Sequence, residues 1–269
     1  MKRSILSLWS WFALGAIVIV WTPIVFLVWI ATTPFDKGRY ATGYTFRRLC
    51  VLHQWLNPMW KFKTSGQLPA NKRNPYVMVS NHESFVDMLL LSHLKIEMKY
   101  LSKESILRIP LVGWMMKMSG DISLLRGDRS SGAAALVVCE KWLKRKMSVM
   151  IFPEGTTSDG TALLPFKTGG FEAIANMSDG FVVPVYFHVR SIKRELVDLH
   201  SRKQITWYAP QKMLANLWQV LGLGPLHFVI RIGEPIATND KNRKELAKES
   251  QGAVEALKRS EEKLILAAH

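Results

Sequence analysis

The sequence predicts an α/β protein: a mixed central sheet flanked by helices, preceded by an N-terminal membrane-associated helical element. Three observations predict it. From Lys61 onward, short runs of aliphatic and aromatic residues alternate with helix-length stretches, as in layered α/β domains. From Ile5 to Ile30 no residue carries a charge, and Trp9, Trp11, Trp21 and Trp29 lie among aliphatic side chains. The 269 residues are also enough to bury a substantial core.

The apolar segment comes first. As a helix it would reach roughly 39 Å, against about 30 Å for the hydrocarbon layer of a bilayer. It is too long for a signal-peptide core. Pro23 leaves both a tilted span and a re-entrant hairpin open. Lys37, Arg39, Arg47 and Arg48 follow it, against Lys2 and Arg3 before it, so the positive-inside bias puts the remainder in the cytoplasm. The expected location is a bacterial inner membrane with the site on the cytoplasmic side. Residues 36–60 read as an amphipathic helix, either interfacial or packed. Expected strands are Trp60–Thr64, Tyr76–Ser80, Met98–Leu101, Ile122–Leu125, Ser148–Phe152, Phe181–Phe187, Gln204–Tyr208 and Phe228–Ile232. Expected helices are Phe85–Leu94, Leu111–Ser119, Ser130–Lys146, Gly170–Ser178 and Arg243–Ala268. The chain thus divides into membrane-anchoring helices (1–58) and one α/β domain (59–269).

A net charge of +15 requires an anionic partner. No helix-turn-helix, zinc-finger or RNP pattern is present, so nucleic acid is not expected, and anionic membrane lipids are. Cys50 and Cys139 have no metal-ligand spacing and read as packing residues. No metal site is expected: His-Glu-x-x-His is missing and the other histidines are scattered. No Gly-x-Ser-x-Gly elbow occurs either, which argues against a hydrolase with a nucleophilic serine.

Two runs carry chemistry. In Asn81-His82-Glu83-Ser84-Phe85-Val86-Asp87, His82 lies in a strand-to-helix turn, and a carboxylate at Asp87 can fix one imidazole nitrogen so that the other takes a proton. The same residues also read as a helix-capping pattern, with Asp87 satisfying helix-end amides. In Phe152-Pro153-Glu154-Gly155-Thr156, a strand ends in a turn whose glycine allows close backbone approach to a ligand. Lys167 precedes the glycine-opened stretch Gly169-Gly170, a reasonable anion site. Arg126 and Arg129, after an apolar strand, can grip a phosphate through forked hydrogen bonds. Each of these cations also reads as an ordinary solvated surface charge.

In order and spacing, these blocks together with Val183-Pro184-Val185 resemble the glycerolipid acyltransferases, the lysophosphatidic acid acyltransferase family. The resemblance covers roughly residues 60–190. It implies that His82 is the catalytic base and Asp87 its orienting partner. It further implies that Arg126, Glu154, Gly155 and Thr156 line the head-group site, with Lys167 as a further cation. It implies transfer of an acyl group from acyl-CoA or acyl-carrier protein, as co-substrate, to a lysophospholipid acceptor, with no cofactor. The family often has arginine after Glu-Gly-Thr, and here Thr157 stands there. That departure keeps lyso-ornithine lipid or another lysolipid as a rival acceptor. A catalytically silent lipid-binding protein is the rival of a different class, and the intact His82–Asp87 pair counts against it.

Overall fold

The computed structural model describes residues 2–57, 59–69, 76–84, 86–208 and 211–267. Residue 58 at the expected domain boundary, Phe85 at the expected start of one helix and Ala268 at the end of another lie outside them. The chain opens with α1 (Lys2–Thr32), α2 (Tyr40–Trp55), β1 (Trp60–Ser65), β2 (Tyr76–Ser80) and α3 (Asp87–Leu91). Next come β3 (Met98–Lys103), α4 (Glu104–Leu107), α5 (Val112–Ser119), β4 (Ile122–Leu124), α6 (Arg129–Lys144) and β5 (Ser148–Ile151). After α7 (Glu172–Ala175) follow β6 (Phe181–Ile192), β7 (Glu195–Leu196), α8 (Leu199–Arg202) and α9 (Met213–Leu221). The chain finishes with β8 (Leu226–Ile232), β9 (Ile236–Ala237) and α10 (Arg243–Leu266).

The sheet runs β1-β8-β6-β2-β5-β3-β4. Strands β6 and β8 pair antiparallel, and the neighbours on either side pair parallel. Every residue of β2 and β5 is buried, which is why both read as continuous apolar runs: helices cover the sheet on both faces. One face packs with α9 and the residues after β2, and the other with α6, α7 and α10. The mixed sheet and flanking helices match the sequence expectation.

Helix α1 is continuous through Pro23 and would measure about 46 Å. It is long and apolar enough to cross a membrane. Its Ile17 and Val25 pack with Phe46 and Leu49 of α2 and with Met115 and Met116 of α5. Leu8, Phe12, Ile19, Val20 and Leu27 remain exposed. α2 is a packed helix rather than a free interfacial one, with Tyr40 and Trp55 left exposed at its ends.

Charge, as well as apolar contact, seats α2 on the sheet. Arg47 Nη2 donates to Asp121 Oδ1 (2.5 Å) and to the Met98 carbonyl (3.0 Å). Lys99 Nζ donates to Glu97 Oε1 (2.6 Å) and to the carbonyl of Arg39. All four charged side chains are buried. Gly43 is required there, since a Cβ would stand 1.9 Å from Glu97 Oε1.

Two expectations are corrected, and one helix appears that was not among them. Gln204–Tyr208 is no strand: the Trp207 amide donates to the Glu83 carbonyl (2.8 Å), and the Thr206 carbonyl accepts from Asn216 Nδ2 (2.9 Å), so its backbone serves a loop. Helix α9 was not expected. The stretch 170–178 holds only α7, preceded by a tight turn of 3-10 helix at Thr168–Phe171.

Candidate active site

The parallel strands β2, β5, β3 and β4 end at one edge of the sheet, and each candidate block follows one of those ends. This is where side chains of an open α/β sheet converge on ligands. The His82 turn follows β2, and the Pro153–Thr156 turn follows β5 on the adjacent strand. Arg126 follows β4, three strand spacings or about 14 Å from β2.

The turn after β2 is fixed on both flanks. Asn81 imitates a strand residue: its Oδ1 accepts the Phe187 amide (2.9 Å) and its Nδ2 donates to the Phe187 carbonyl (2.9 Å). The His82 carbonyl accepts the Ser158 amide (3.0 Å), and the His82 amide donates to Glu154 Oε1 (2.8 Å). The imidazole stacks on Phe152, with centroids 4.2 Å apart. Nδ1 lies 2.9 Å from Asp87 Oδ2. With the proton on Nδ1, the lone pair of Nε2 is left free, and no described residue bonds it. The geometry therefore presents a base.

Asp87 holds the histidine as expected, but it caps no helix end: the helix begins at Asp87 itself and has no side-chain cap. Its Oδ2 also accepts the amides of Glu83 (2.8 Å) and Ser84 (2.9 Å), so it closes the turn that carries the histidine. Its other oxygen is buried with no hydrogen-bond partner among the described residues. Ser84 is not the helix cap: that position falls on Val86, in helical conformation.

Glu154 is 2% exposed, with both oxygens committed: Oε1 to the His82 amide and Oε2 to the Leu164 amide (2.9 Å). Burial pushes its pKa up to about 7, against the pull of those two amides. Its contacts in the folded chain position His82 rather than open toward a ligand. Gly155 has φ +70°, and a Cβ there would meet Lys167 Nζ at 2.6 Å, so the lysine lies across the glycine. Thr156, Arg126 and Lys167 are exposed, and Thr157 is half-buried. The structure thus brings together His82, Asp87, Glu154, Gly155 and Lys167, and sets Arg126 apart on the same edge.

Sequence reasoning missed a second set beneath the turn. Arg202 donates to the Gly160 carbonyl (2.5 Å) and to His188 Nδ1 (2.9 Å), and its Nε stands 3.6 Å from Glu83 Oε2. Burial and the nearby Arg202 hold His188 neutral, well below the ordinary histidine range. Burial raises Glu83 to about 7 despite Arg202. The run Asn81-His82-Glu83 was the available signal, since a carboxylate flanking a buried histidine needs a partner.

An apolar cavity of about 230 Å³ opens between α1, α2, α5 and α9. Leu14, Val18, Leu49 and Leu217 line it, together with Met88 and Leu89, which directly follow Asp87. Among the described residues no cluster of histidine, cysteine and carboxylate groups has the arrangement of a metal site.

Residues 61–188 match the family model described as Acyltransferase. The chain is 32% identical over 215 residues to the lyso-ornithine lipid O-acyltransferase of Pseudomonas aeruginosa, covering 79% of this chain and 76% of that one. It is 30% identical over 174 residues to the 1-acyl-sn-glycerol-3-phosphate acyltransferase of Escherichia coli, covering 63% and 68%. Identity to the chloroplastic 1-acyl-sn-glycerol-3-phosphate acyltransferase LPAT1 of Arabidopsis thaliana is 40%, over 130 residues. The chain spans only 36–45% of the length of such plant and algal relatives. The crystal structure of the 1-acyl-sn-glycerophosphate acyltransferase PlsC from Thermotoga maritima superposes with a TM-score of 0.73 at 18% identity, over 97% of this chain and 98% of that one. At that identity the likeness speaks for the fold.

Proposed function

We propose, since the chain belongs to the acyltransferase family, that it moves a fatty acyl group from acyl-CoA or acyl-carrier protein to the sn-2 hydroxyl of 1-acyl-glycerol-3-phosphate, giving phosphatidic acid. One observation carries the reading: a histidine with Nδ1 held by Asp87, Nε2 free, and an apolar cavity beginning at the next residue. His82 Nε2 takes the proton of the acceptor hydroxyl as its oxygen attacks the thioester carbonyl. The tetrahedral intermediate then expels the thiolate, which takes the proton back from the imidazolium. Asp87 stabilises that imidazolium and keeps the ring oriented. The cavity takes an acyl chain, and Lys167 and Arg126 attract the acceptor phosphate. Helix α1 holds the enzyme at the membrane where acceptor and product reside, with the site on the cytoplasmic face.

A second acceptor, lyso-ornithine lipid, draws support from the similarity to enzymes of that name over most of their length and from Thr157 in place of arginine. The test is to incubate purified full-length protein with one labelled acyl thioester and a panel of lysolipids, and to identify the products by mass. Phosphatidic acid as the dominant product supports the first reading, and an acylated ornithine lipid replaces it with the second. Turnover in neither case, or turnover undiminished in His82→Ala, refutes the mechanism, because loss of a general base costs about 10²–10⁴ in rate.

A further inference from the structure

A second pocket, of about 420 Å³, lies along the free edge of β4 and is lined by five cations from separate elements and by two carboxylates, Glu104 and Asp121, which are already paired with Arg108 and Arg47. Arg39 comes from the α1–α2 connection, Arg108 from the end of α4, Lys117 from α5, and Lys141 and Arg145 from α6 and its end. Arg108 is paired with Glu104 (2.6 Å). Among the described residues, Arg39, Lys117, Lys141 and Arg145 have no carboxylate within ion-pair distance; Arg39 and Arg145 donate instead to the backbone carbonyls of Lys117 and Lys37. Like charges gathered this closely oppose folding unless an anion joins them.

Trp142 forms part of the same wall, beneath the cations. Its ring is 4% exposed, and Lys99, Lys141 and Arg145 stand 5.3–5.7 Å from its centroid. Its Nε1–H is enclosed and has no acceptor among the described residues. A buried N–H without a partner is costly, and native proteins leave few of them.

We propose that this pocket binds a phosphate ester, at a site separate from the His82 turn. The chemistry is that of an anionic phospholipid head group or of the phosphate-bearing end of the thioester donor. The surroundings suit a head group. Phe35 and Tyr40 flank the Lys37–Arg39 connection and are 74% and 54% exposed, and Trp114, one turn before Lys117 on α5, is 57% exposed. Helix α5 packs on α1, so these aromatic residues border its uncovered apolar face. Aromatic rings interleaved with cations at the rim of an apolar surface are the pattern of a membrane interface. The donor source rests on the acyltransferase reading, and the head-group source does not.

The experiment is calorimetric titration of full-length protein in neutral detergent micelles, with short-chain phosphatidylglycerol in one arm and coenzyme A in the other. The pocket variant is Lys117→Gln/Lys141→Gln. The control of equal charge is Lys244→Gln/Lys248→Gln, on the exposed face of α10. Phosphatidylglycerol affinity is expected to fall roughly tenfold or more in the pocket variant and to stay near wild type in the control. The same selective loss for coenzyme A instead assigns the site to the donor. If neither titrant separates the pocket variant from the control, the proposal is overturned. Neither arm requires turnover, so failure here is distinct from failure of the acyltransferase reading.

Discussion

Glu154→Gln separates two accounts of the Pro-Glu-Gly turn. The wild-type carboxylate accepts two amides, from His82 at 2.8 Å and Leu164 at 2.9 Å, inside a buried setting. Glutamine keeps one carbonyl oxygen and turns an amide donor toward the other N–H. One charge-assisted bond is lost and two donors face each other, at a cost of about 1.5–3 kcal/mol. For a chain of this size that corresponds to a drop in melting midpoint of roughly 3–12 °C. The loss falls on the backbone of the base itself, where misplacement by about 1 Å can cost around a hundredfold in rate. The assay is kcat and acceptor KM for the purified variant, with its melting curve. A fall in kcat of roughly ten- to a hundredfold with a lowered midpoint supports the positioning role. An unchanged midpoint and kcat with a raised acceptor KM would refute it, and would return Glu154 to the head-group contact expected from sequence.

Further outcomes follow from the same geometry. Asp87→Asn can place its carbonyl where Oδ2 now accepts three donors, but its amide then fills the buried Oδ1 position with no acceptor, so the melting midpoint should fall as for Glu154→Gln while kcat falls by about two to four orders of magnitude. Gly155→Ala forces a side chain into φ +70°, at about 1–2 kcal/mol, and pushes Lys167 Nζ aside, so acceptor KM should rise more than kcat falls. Glu83 has its folded pKa raised from 4.5 to about 7, so its stabilising effect is full below pH 4.5 and lost as pH rises through 7. The wild-type melting midpoint should therefore drop relative to Glu83→Gln across that window; a gap independent of pH would show that Glu83 does not titrate there.

How much was legible depended on whether the signal was local. Strands β2 and β5 are unbroken apolar runs bounded by turn residues, and the sequence marks them almost to the residue. The His82–Asp87 pair was legible because its partners are five residues apart on one turn. Helix α9 is legible in the sequence, since Met213, Leu214, Leu217, Val220 and Leu221 follow helical spacing. Gln204–Tyr208 misled because Ile205, Trp207 and Tyr208 are strand-forming types, while the amides of Gln204, Ile205 and Thr206 turn back onto α8, the Trp207 amide bonds the His82 turn and the Thr206 carbonyl bonds α9. The task of Glu154 was out of reach, since nothing within its turn reveals an amide 72 residues away. The Arg202–Glu83 contact is hidden for the same reason.

The buried quartet Arg47, Glu97, Lys99 and Asp121 bears on where the proposed reaction would take place. Apolar ridges can slide past one another by small steps, losing little with each. A guanidinium that must meet one carboxylate and one carbonyl, in a space where Gly43 admits no extra atom, has a single seat. Helix α2 therefore has one register on the sheet, and α1 is tied to it by directional bonds, from Trp21 Nε1 to the Thr45 carbonyl (2.7 Å) and from Ser10 Oγ to Asn57 Oδ1 (2.7 Å). The distance from the uncovered face of α1 to Nε2 of His82 then becomes a fixed length of the molecule. On the proposed function, once α1 takes its depth in lipid, the height at which His82 would meet an acceptor hydroxyl is already set.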